Sequence, residues 1–229
     1  MINQTKRNQP KRNFIKIFLF FLSAFFCNDV YPQFASDGSY FWNVTNVNYT
    51  INEKTYLFLN TKEHFSNQTD RIDFFHLELT AYRKLTPKFS MGLGYRQTES
   101  YKLSNWYAGH NYLLYGMCIF SPANLKIKFA NRVVYKSFKN ADSQIGLDNM
   151  TNVDFFARST SKIPKPYVAD ELFSELKSFK LQNVRFYGGL HLLKAAHLSV
   201  DVFYCYWMTC GGIDWKNYDV YGLCTKFSI

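Results

Sequence analysis

Residues 72–97 carry two runs in which apolar and polar side chains alternate strictly, IDFFHLELTAYRK and KFSMGLGYRQ, joined by a short turn at 85–88. Alternation with a period of two predicts β-strands, because successive side chains of a strand point to opposite sides of the sheet. Each run is long enough to cross a bilayer, because a tilted strand needs about 9–11 residues to do so. The apolar faces are formed by Phe75, Leu77, Leu79 and Ala81 in the first run and by Phe89, Met91, Leu93 and Tyr95 in the second.

Nine further strand-like runs follow the same pattern less strictly, at 40–49, 55–63, 106–120, 125–138, 154–159, 167–173, 183–193, 197–207 and 218–229. Together with the hairpin they make eleven runs. Single-chain bacterial barrels normally have an even number of strands, so we expect ten or twelve. The connectors alternate between short ones (52–54, 85–88, 121–124, 163–166, 194–196) and longer polar ones (64–71, 99–105, 139–153, 174–182, 208–217). That alternation is typical of outer-membrane barrels.

Strand length and aromatic content separate a membrane barrel from a soluble sheet. The runs of about 10–14 residues exceed the usual soluble strand of about 5–6. Aromatic residues make up 19% of the chain, and a closed barrel removes the sheet edges that lipid does not tolerate. The sequence therefore predicts an all-β, antiparallel transmembrane β-barrel of 10–12 strands over residues 34–229. Aromatic residues placed near the strand ends include Tyr82, Tyr95, Trp106, Tyr107, Phe120, Tyr135, Tyr204, Trp207, Tyr221 and Phe227.

The first 33 residues have the composition of an export signal. Basic residues precede the apolar stretch FIKIFLFFLSAFF at 14–26, which is too short for a membrane helix of about 20 residues. We interpret residues 1–33 as a signal peptide. The last strand ends in alternating apolar and aromatic residues, similar to the signal by which outer-membrane proteins are assembled. These features predict a location in a bacterial outer membrane.

The formal net charge of +10 would suit nucleic acid, but the basic residues are spread along alternating segments and form no single patch. We therefore exclude nucleic acid as a partner. On the predicted inner face, charges must be paired or hydrated. We expect Arg132 to pair with Glu78 or Glu171; the alternative is a basic lining that selects small anionic solutes. The predicted lumen-lining charged residues are Glu78, Arg96, Lys128, Arg132, Glu171, Arg185 and Asp201, with Lys62, Lys126, Lys136, Asp154, Arg158 and Lys226 on the same face.

An outer-membrane lipid hydrolase or acylase is the alternative function. It would need a nucleophile beside a histidine that an acid orients. His76 with Glu78, and His191 with Ser199, are the candidate groups, but no GxSxG elbow is present. The chain also lacks a P-loop, a dinucleotide-binding fingerprint and an HExxH motif. We predict no catalytic residues, no metal site and no cofactor.

Several stretches, taken in order, resemble one family: LTPKFSMGLGYRQ, LKIKFANRVVYK with Arg132, PYVADELF with Glu171, and NVRFYGGLHL followed by HLSVDVFYCYW and WKNYDVYGLCTKFSI. The chain is similar in these to the DUF2490 family of uncharacterised Bacteroidetes-type outer-membrane β-barrel proteins. The resemblance implies the barrel architecture and the outer-membrane location. It implies no chemistry, because the family has no established activity.

Three functions follow as expectations. The first is a monomeric outer-membrane barrel, structural or with a narrow pore or binding lumen of net basic charge, whose partners are outer-membrane lipid, the assembly machinery and small anionic solutes. The second is the lipid hydrolase. The third is a soluble periplasmic β-protein, in which Leu77, Leu79, Met91 and Leu93 would be buried in a core.

Overall fold

A computed structural model describes residues 36–102, 104–138, 141–156, 164–210 and 214–229, so the predicted signal peptide at 1–33 lies outside the described residues. Within those ranges no helix is long and apolar enough to cross a membrane. The described residues form eleven strands: β1 (Ser39–Thr50), β2 (Thr55–Ser66), β3 (Arg71–Lys84), β4 (Phe89–Lys102), β5 (Asn105–Phe120), β6 (Lys126–Phe138), β7 (Ala141–Asp154), β8 (Lys165–Glu175), β9 (Leu181–Lys194), β10 (Leu198–Cys210) and β11 (Trp215–Ser228).

The eleven strands close into one barrel in which each strand pairs with its neighbours in the chain. Ten of the pairings are antiparallel, and the barrel closes through β1 and β11, which are parallel from Ser39 opposite Asp219 to Asn48 opposite Ser228. An odd number of strands that reverse direction at each connector leaves the first and last strands running the same way. The prediction of an all-β closed barrel is confirmed, whereas the expectation of an even number of strands is wrong.

The hairpin that the sequence predicts most clearly is formed by β3 and β4, with its turn at 85–88. His76, Glu78 and Thr80 are buried on its inner side. On the outer side Leu79 is 51% exposed and Leu93 is 69% exposed, and Leu77 and Met91 are exposed as well. These four side chains are therefore not part of a protein core.

The predicted alternation of short and long connectors is wrong. Where long connectors were expected, the ends of successive strands are separated by at most five residues. The widest separation, from Asp154 of β7 to Lys165 of β8, occurs at the opposite end of the barrel, where short turns were expected. The difference arises because the strands continue into polar sequence. In particular, 141–154 is strand β7, although most of it was expected to be a loop. Of the run predicted at 154–159, Asp154 is the last residue of β7, 155–156 form a turn, and 157–159 lie outside the described residues.

Two clusters of mainly aromatic side chains fill much of the barrel. One joins Tyr82, Leu113, Tyr115 and Val134, with Tyr56 and Phe58 against them. The other joins Trp42, Cys205 and Val220, with Tyr40, Tyr187, Phe203 and Trp207 around them. Tyr82 and Trp207 were expected near the strand ends, on the outward apolar faces, but they lie inside the barrel. The other eight aromatic residues of that prediction are exposed.

Candidate functional site

A chain of hydrogen bonds runs along the inner wall of the barrel from β3 to β7. The Nε and Nη2 atoms of Arg96 donate to Glu78 Oε2 at 2.8 and 2.6 Å. Tyr115 donates its hydroxyl to Glu78 Oε1 at 2.6 Å and accepts from Arg132 Nη1 at 3.0 Å. Arg132 also donates from Nε and Nη2 to Asp148 Oδ2, at 2.9 and 2.5 Å. Two ion pairs are therefore joined through one tyrosine hydroxyl.

Strand register produces these ion pairs. Glu78 lies directly opposite Arg96 in the β3–β4 pairing, and Arg132 lies directly opposite Asp148 in the β6–β7 pairing. Side chains directly opposite one another on one face of an antiparallel pair are close enough to interact. Because Glu78 is only 2% exposed, removing its cation would leave a buried charge without a partner.

A second network lies on β8 and β9. Arg185 donates from Nη1 to Glu171 Oε2 at 3.1 Å, and Tyr187 donates its hydroxyl to the same oxygen at 2.8 Å. The guanidinium of Arg185 also lies 4.7 Å from the centre of the Phe173 ring. Arginine is suited to this position because it bonds a carboxylate edge-on while its flat face packs on aromatic rings.

A third group surrounds Asp201, which is fully buried. Lys226 donates to Asp201 Oδ2 at 2.5 Å, and Nδ1 of His191 lies 2.8 Å from Oδ1 of the same carboxylate. The other ring nitrogen of His191 is 3.4 Å from Asp154 Oδ1, and Tyr167 stacks on the His191 ring at 4.8 Å. His191 thus lies between two carboxylates.

Lys62, Lys128 and Lys136 differ from the inner cations described above, because none of the three has an ion pair among the described residues. Lys128 lies opposite Asn152 in the β6–β7 pairing. The ammonium group of Lys62 lies 4.2 Å from the centre of the Trp42 ring. Arg158, predicted on the same face, lies outside the described residues.

The structure thus brings Glu78 and Arg96 together, and likewise Glu171 and Arg185, but it corrects the partner of Arg132. The sequence suggested Glu78 or Glu171; the partner is Asp148, and Glu78 is linked only through Tyr115. Asp148 was missed because it lies in β7, which was assigned to a loop. Its one sequence signal is the alternation of Ile145, Leu147 and Val153 around it, which is interrupted by Asn149 and Thr151.

The groups proposed for a hydrolase do not form a triad in the described residues. His76 is hydrogen-bonded to Asn60, and Glu78 is bonded to Arg96, Tyr115 and Thr80. Both nitrogens of His191 face carboxylates, which leaves no position for a serine hydroxyl beside the ring. A group of three or more metal-binding side chains is also absent from these residues.

Two cavities of the described barrel adjoin these side chains. One of about 40 Å³ lies between Arg132, Asp148, Glu171 and their neighbours. A larger one, of about 250 Å³, lies by the turns at 51–54 and 85–88, where Tyr56, Lys84, Lys88 and Ser90 line it. The Tyr56 ring stacks on Tyr82 at 5.0 Å, and Tyr82 belongs to the first aromatic cluster. The larger cavity therefore adjoins that cluster.

Fold and site together define a closed β-barrel with an apolar outer surface and ion pairs inside. Residues 40–215 match the family described as "Protein of unknown function (DUF2490)". The chain belongs to that family, as the sequence resemblance predicted. Searches of curated proteins and of solved structures found no match to the chain.

Proposed function

We propose that the protein is an outer-membrane β-barrel whose largely filled, net basic interior binds small anionic solutes and does not form a wide pore. One observation carries this proposal: large apolar side chains are exposed on the outside of the barrel, while charged side chains are buried inside it. Leu77, Leu79, Met91 and Leu93 are exposed outside, whereas Glu78 and Asp201 are buried inside. Large exposed apolar surfaces are rare on soluble monomers, and lipid removes that surface from water.

Inner cations without an ion pair support an anionic solute. Lys62, Lys128 and Lys136 lie on the inner face of the barrel, and none of them forms an ion pair among the described residues. A cation inside the barrel without a carboxylate partner favours the binding of an anion.

Side-chain packing argues against a wide channel. The two aromatic clusters occupy the interior, and the cavities given above are small. Rings of charged side chains select ions only where a water path exists. The expected partners are therefore outer-membrane lipid around the barrel, the machinery that assembles such barrels, and a small anion held inside.

Cell fractionation tests the location. We expect the protein in the outer-membrane fraction, resistant to carbonate extraction, and with a gel mobility that changes on heating, because closed membrane barrels stay folded in detergent until heated. A protein found in the soluble fraction without heat-modifiable migration would overturn the proposal.

Planar-bilayer recording tests the filled interior. Because side chains occupy the lumen, we expect no steps of the size that open porins give. Steps of that size would contradict the filled barrel. If small anion-selective steps occur, Lys128→Glu and Arg132→Glu should reduce the selectivity, whereas Lys102→Glu at the exposed end of β4 should not.

A further inference from the structure

Three polar side chains from two strands surround the indole ring of Trp42, which belongs to a third strand. Trp42 of β1 is fully buried, and His64 of β2 stacks on it with ring centres 4.3 Å apart and planes 10° from parallel. The Lys62 ammonium lies 4.2 Å from the same ring centre, and the guanidinium carbon of Arg185 lies 4.9 Å from it. We call Trp42, Lys62, His64 and Arg185 the indole cluster.

The indole cluster contains buried nitrogens that have no hydrogen-bond partner among the described residues. They are Nε1 of Trp42, Nε2 of His64 and Nε of Arg185. Trp207, beside the cluster, donates its own indole N–H to Asn183 at 2.8 Å. Nearly all buried polar groups in folded proteins are paired. The Trp42 Nε1–H and the Arg185 Nε–H are donors, whereas His64 Nε2 donates or accepts according to its tautomer. Two unpaired buried donors beside one ring therefore indicate a missing acceptor.

The charges of the cluster indicate the sign of that acceptor. Only one of its two cations has a carboxylate partner: Arg185 binds Glu171, which also accepts from Tyr187. Lys62 has no ion pair among the described residues. A buried cation without an anion is costly, so an anion is favoured over a neutral acceptor.

We propose that the indole cluster is a binding site for a small oxyanion of the phosphate or carboxylate class. Lys62 supplies a point charge, and the Arg185 Nε–H and the Trp42 Nε1–H donate to the oxygens. Hydrogen bonds between charged donors and oxyanions are the strong ones. This inference rests on the proposed function, because it names the solute class and the position at which the basic interior holds it.

The strands that supply the indole cluster lie on both sides of the pairing that closes the barrel. β1 and β2 lie on one side of the parallel β1–β11 pairing, and β9 lies on the other side, beyond β10. An anion held by Trp42, Lys62 and Arg185 would therefore connect the two sides of the closing pair. Binding should raise the resistance of the folded barrel to unfolding as well as perturb Trp42.

Inorganic phosphate, titrated into the refolded full chain in detergent at constant ionic strength, tests the site. We expect a saturable change in tryptophan fluorescence, and heat release on the same titration measured by calorimetry. Acetate, as the carboxylate probe, distinguishes the two members of the class. A linear, non-saturating response to both anions would leave water as the partner of these nitrogens and would overturn the proposal.

Three variants locate the binding. Lys62→Gln should weaken phosphate binding about tenfold or more, because it removes a charge-assisted contact. Trp42→Phe keeps an aromatic ring at this position but removes the indole N–H, and calorimetry should again show weaker phosphate binding. Lys102→Gln removes an equal charge from the exposed end of β4 and should leave binding unchanged. Binding that survives both Lys62→Gln and Trp42→Phe in folded protein would refute the site.

Failure of this inference is separable from failure of the proposed function. Phosphate titration is carried out in detergent and requires no bilayer, whereas fractionation and heat-modifiable migration report membrane placement without any ligand. A barrel found in the outer membrane whose phosphate binding is unchanged by Lys62→Gln and Trp42→Phe would keep the proposed function and lose this site. A water-soluble barrel that binds phosphate through Lys62 would keep this site and lose the outer-membrane location.

Discussion

At the residue scale, the sequence assigned Glu78 and Arg96 to the inner face but missed Asp148 and its pairing with Arg132. Alternation alone placed Glu78 and Arg96 on the inner side of one hairpin, and the turn at 85–88 fixes their register, so their ion pair could be foreseen. The pairing of Arg132 with Asp148 depends on the register between β6 and β7. No turn signal in the sequence fixes that register. The indole cluster could not be predicted either, because it depends on contacts between strands far apart in the chain.

Glu78→Gln should destabilise the barrel by about 3 kcal/mol, because it leaves Arg96 buried beside a neutral amide. Denaturant unfolding of the refolded protein measures the loss. Glu53→Gln, in the exposed turn 51–54, is the control and should change the stability by less than about 0.5 kcal/mol. The double variant Glu78→Met with Arg96→Met should recover part of the loss. Equal stabilities for Glu78→Gln and Glu53→Gln would contradict a role for this ion pair.

At the scale of the strand, the prediction failed where both faces are polar. Strand β7 has Asp148 and Asn152 on its inner face and Asn149 and Thr151 on its outer face, so its apolar pattern is weak. Its place in the sheet is set by partners on both sides, through Arg132 in β6 and the pairing of Met150 with Glu171 in β8. Neighbouring strands determine such a strand, and a single sequence does not display that information.

Two strand glycines should respond in opposite ways to alanine. A Cβ at Gly222 would overlap the Phe203 ring, which packs against Tyr187 with ring centres 5.7 Å apart, whereas a Cβ at Gly188 meets nothing within 4 Å. Gly222→Ala should therefore lower the free energy of unfolding by about 1–3 kcal/mol through overpacking. Gly188→Ala should be neutral or slightly stabilising, because glycine weakens strand interiors. Unfolding midpoints in denaturant check both, and equal effects would show that Phe203 moves aside freely.

At the scale of the whole molecule, the closed barrel followed from strand length and alternation, but its closure did not. The sequence contains eleven runs, and the structure contains eleven strands; the expectation of an even count was wrong because it came from other barrels. The odd number of strands makes the first and last strands run in the same direction, but their pairing depends on contacts between the two ends of the chain. Here Trp42 and Val220, both fully buried, pack at that closing pair, and their contact is invisible to local pattern.

Asp170 provides a test of membrane placement that involves the whole outer wall. It lies near the middle of β8, outside the barrel, opposite Thr151 of β7. A carboxylate at that depth is unfavourable against lipid and costs little near an interface or in water. Asp170→Leu should therefore raise the free energy of unfolding from lipid vesicles by about 1–3 kcal/mol. Glu99→Leu, also outward but near the end of β4, should raise it by less. No gain for Asp170→Leu, or an equal gain for both, would mean that this wall does not face the centre of a bilayer.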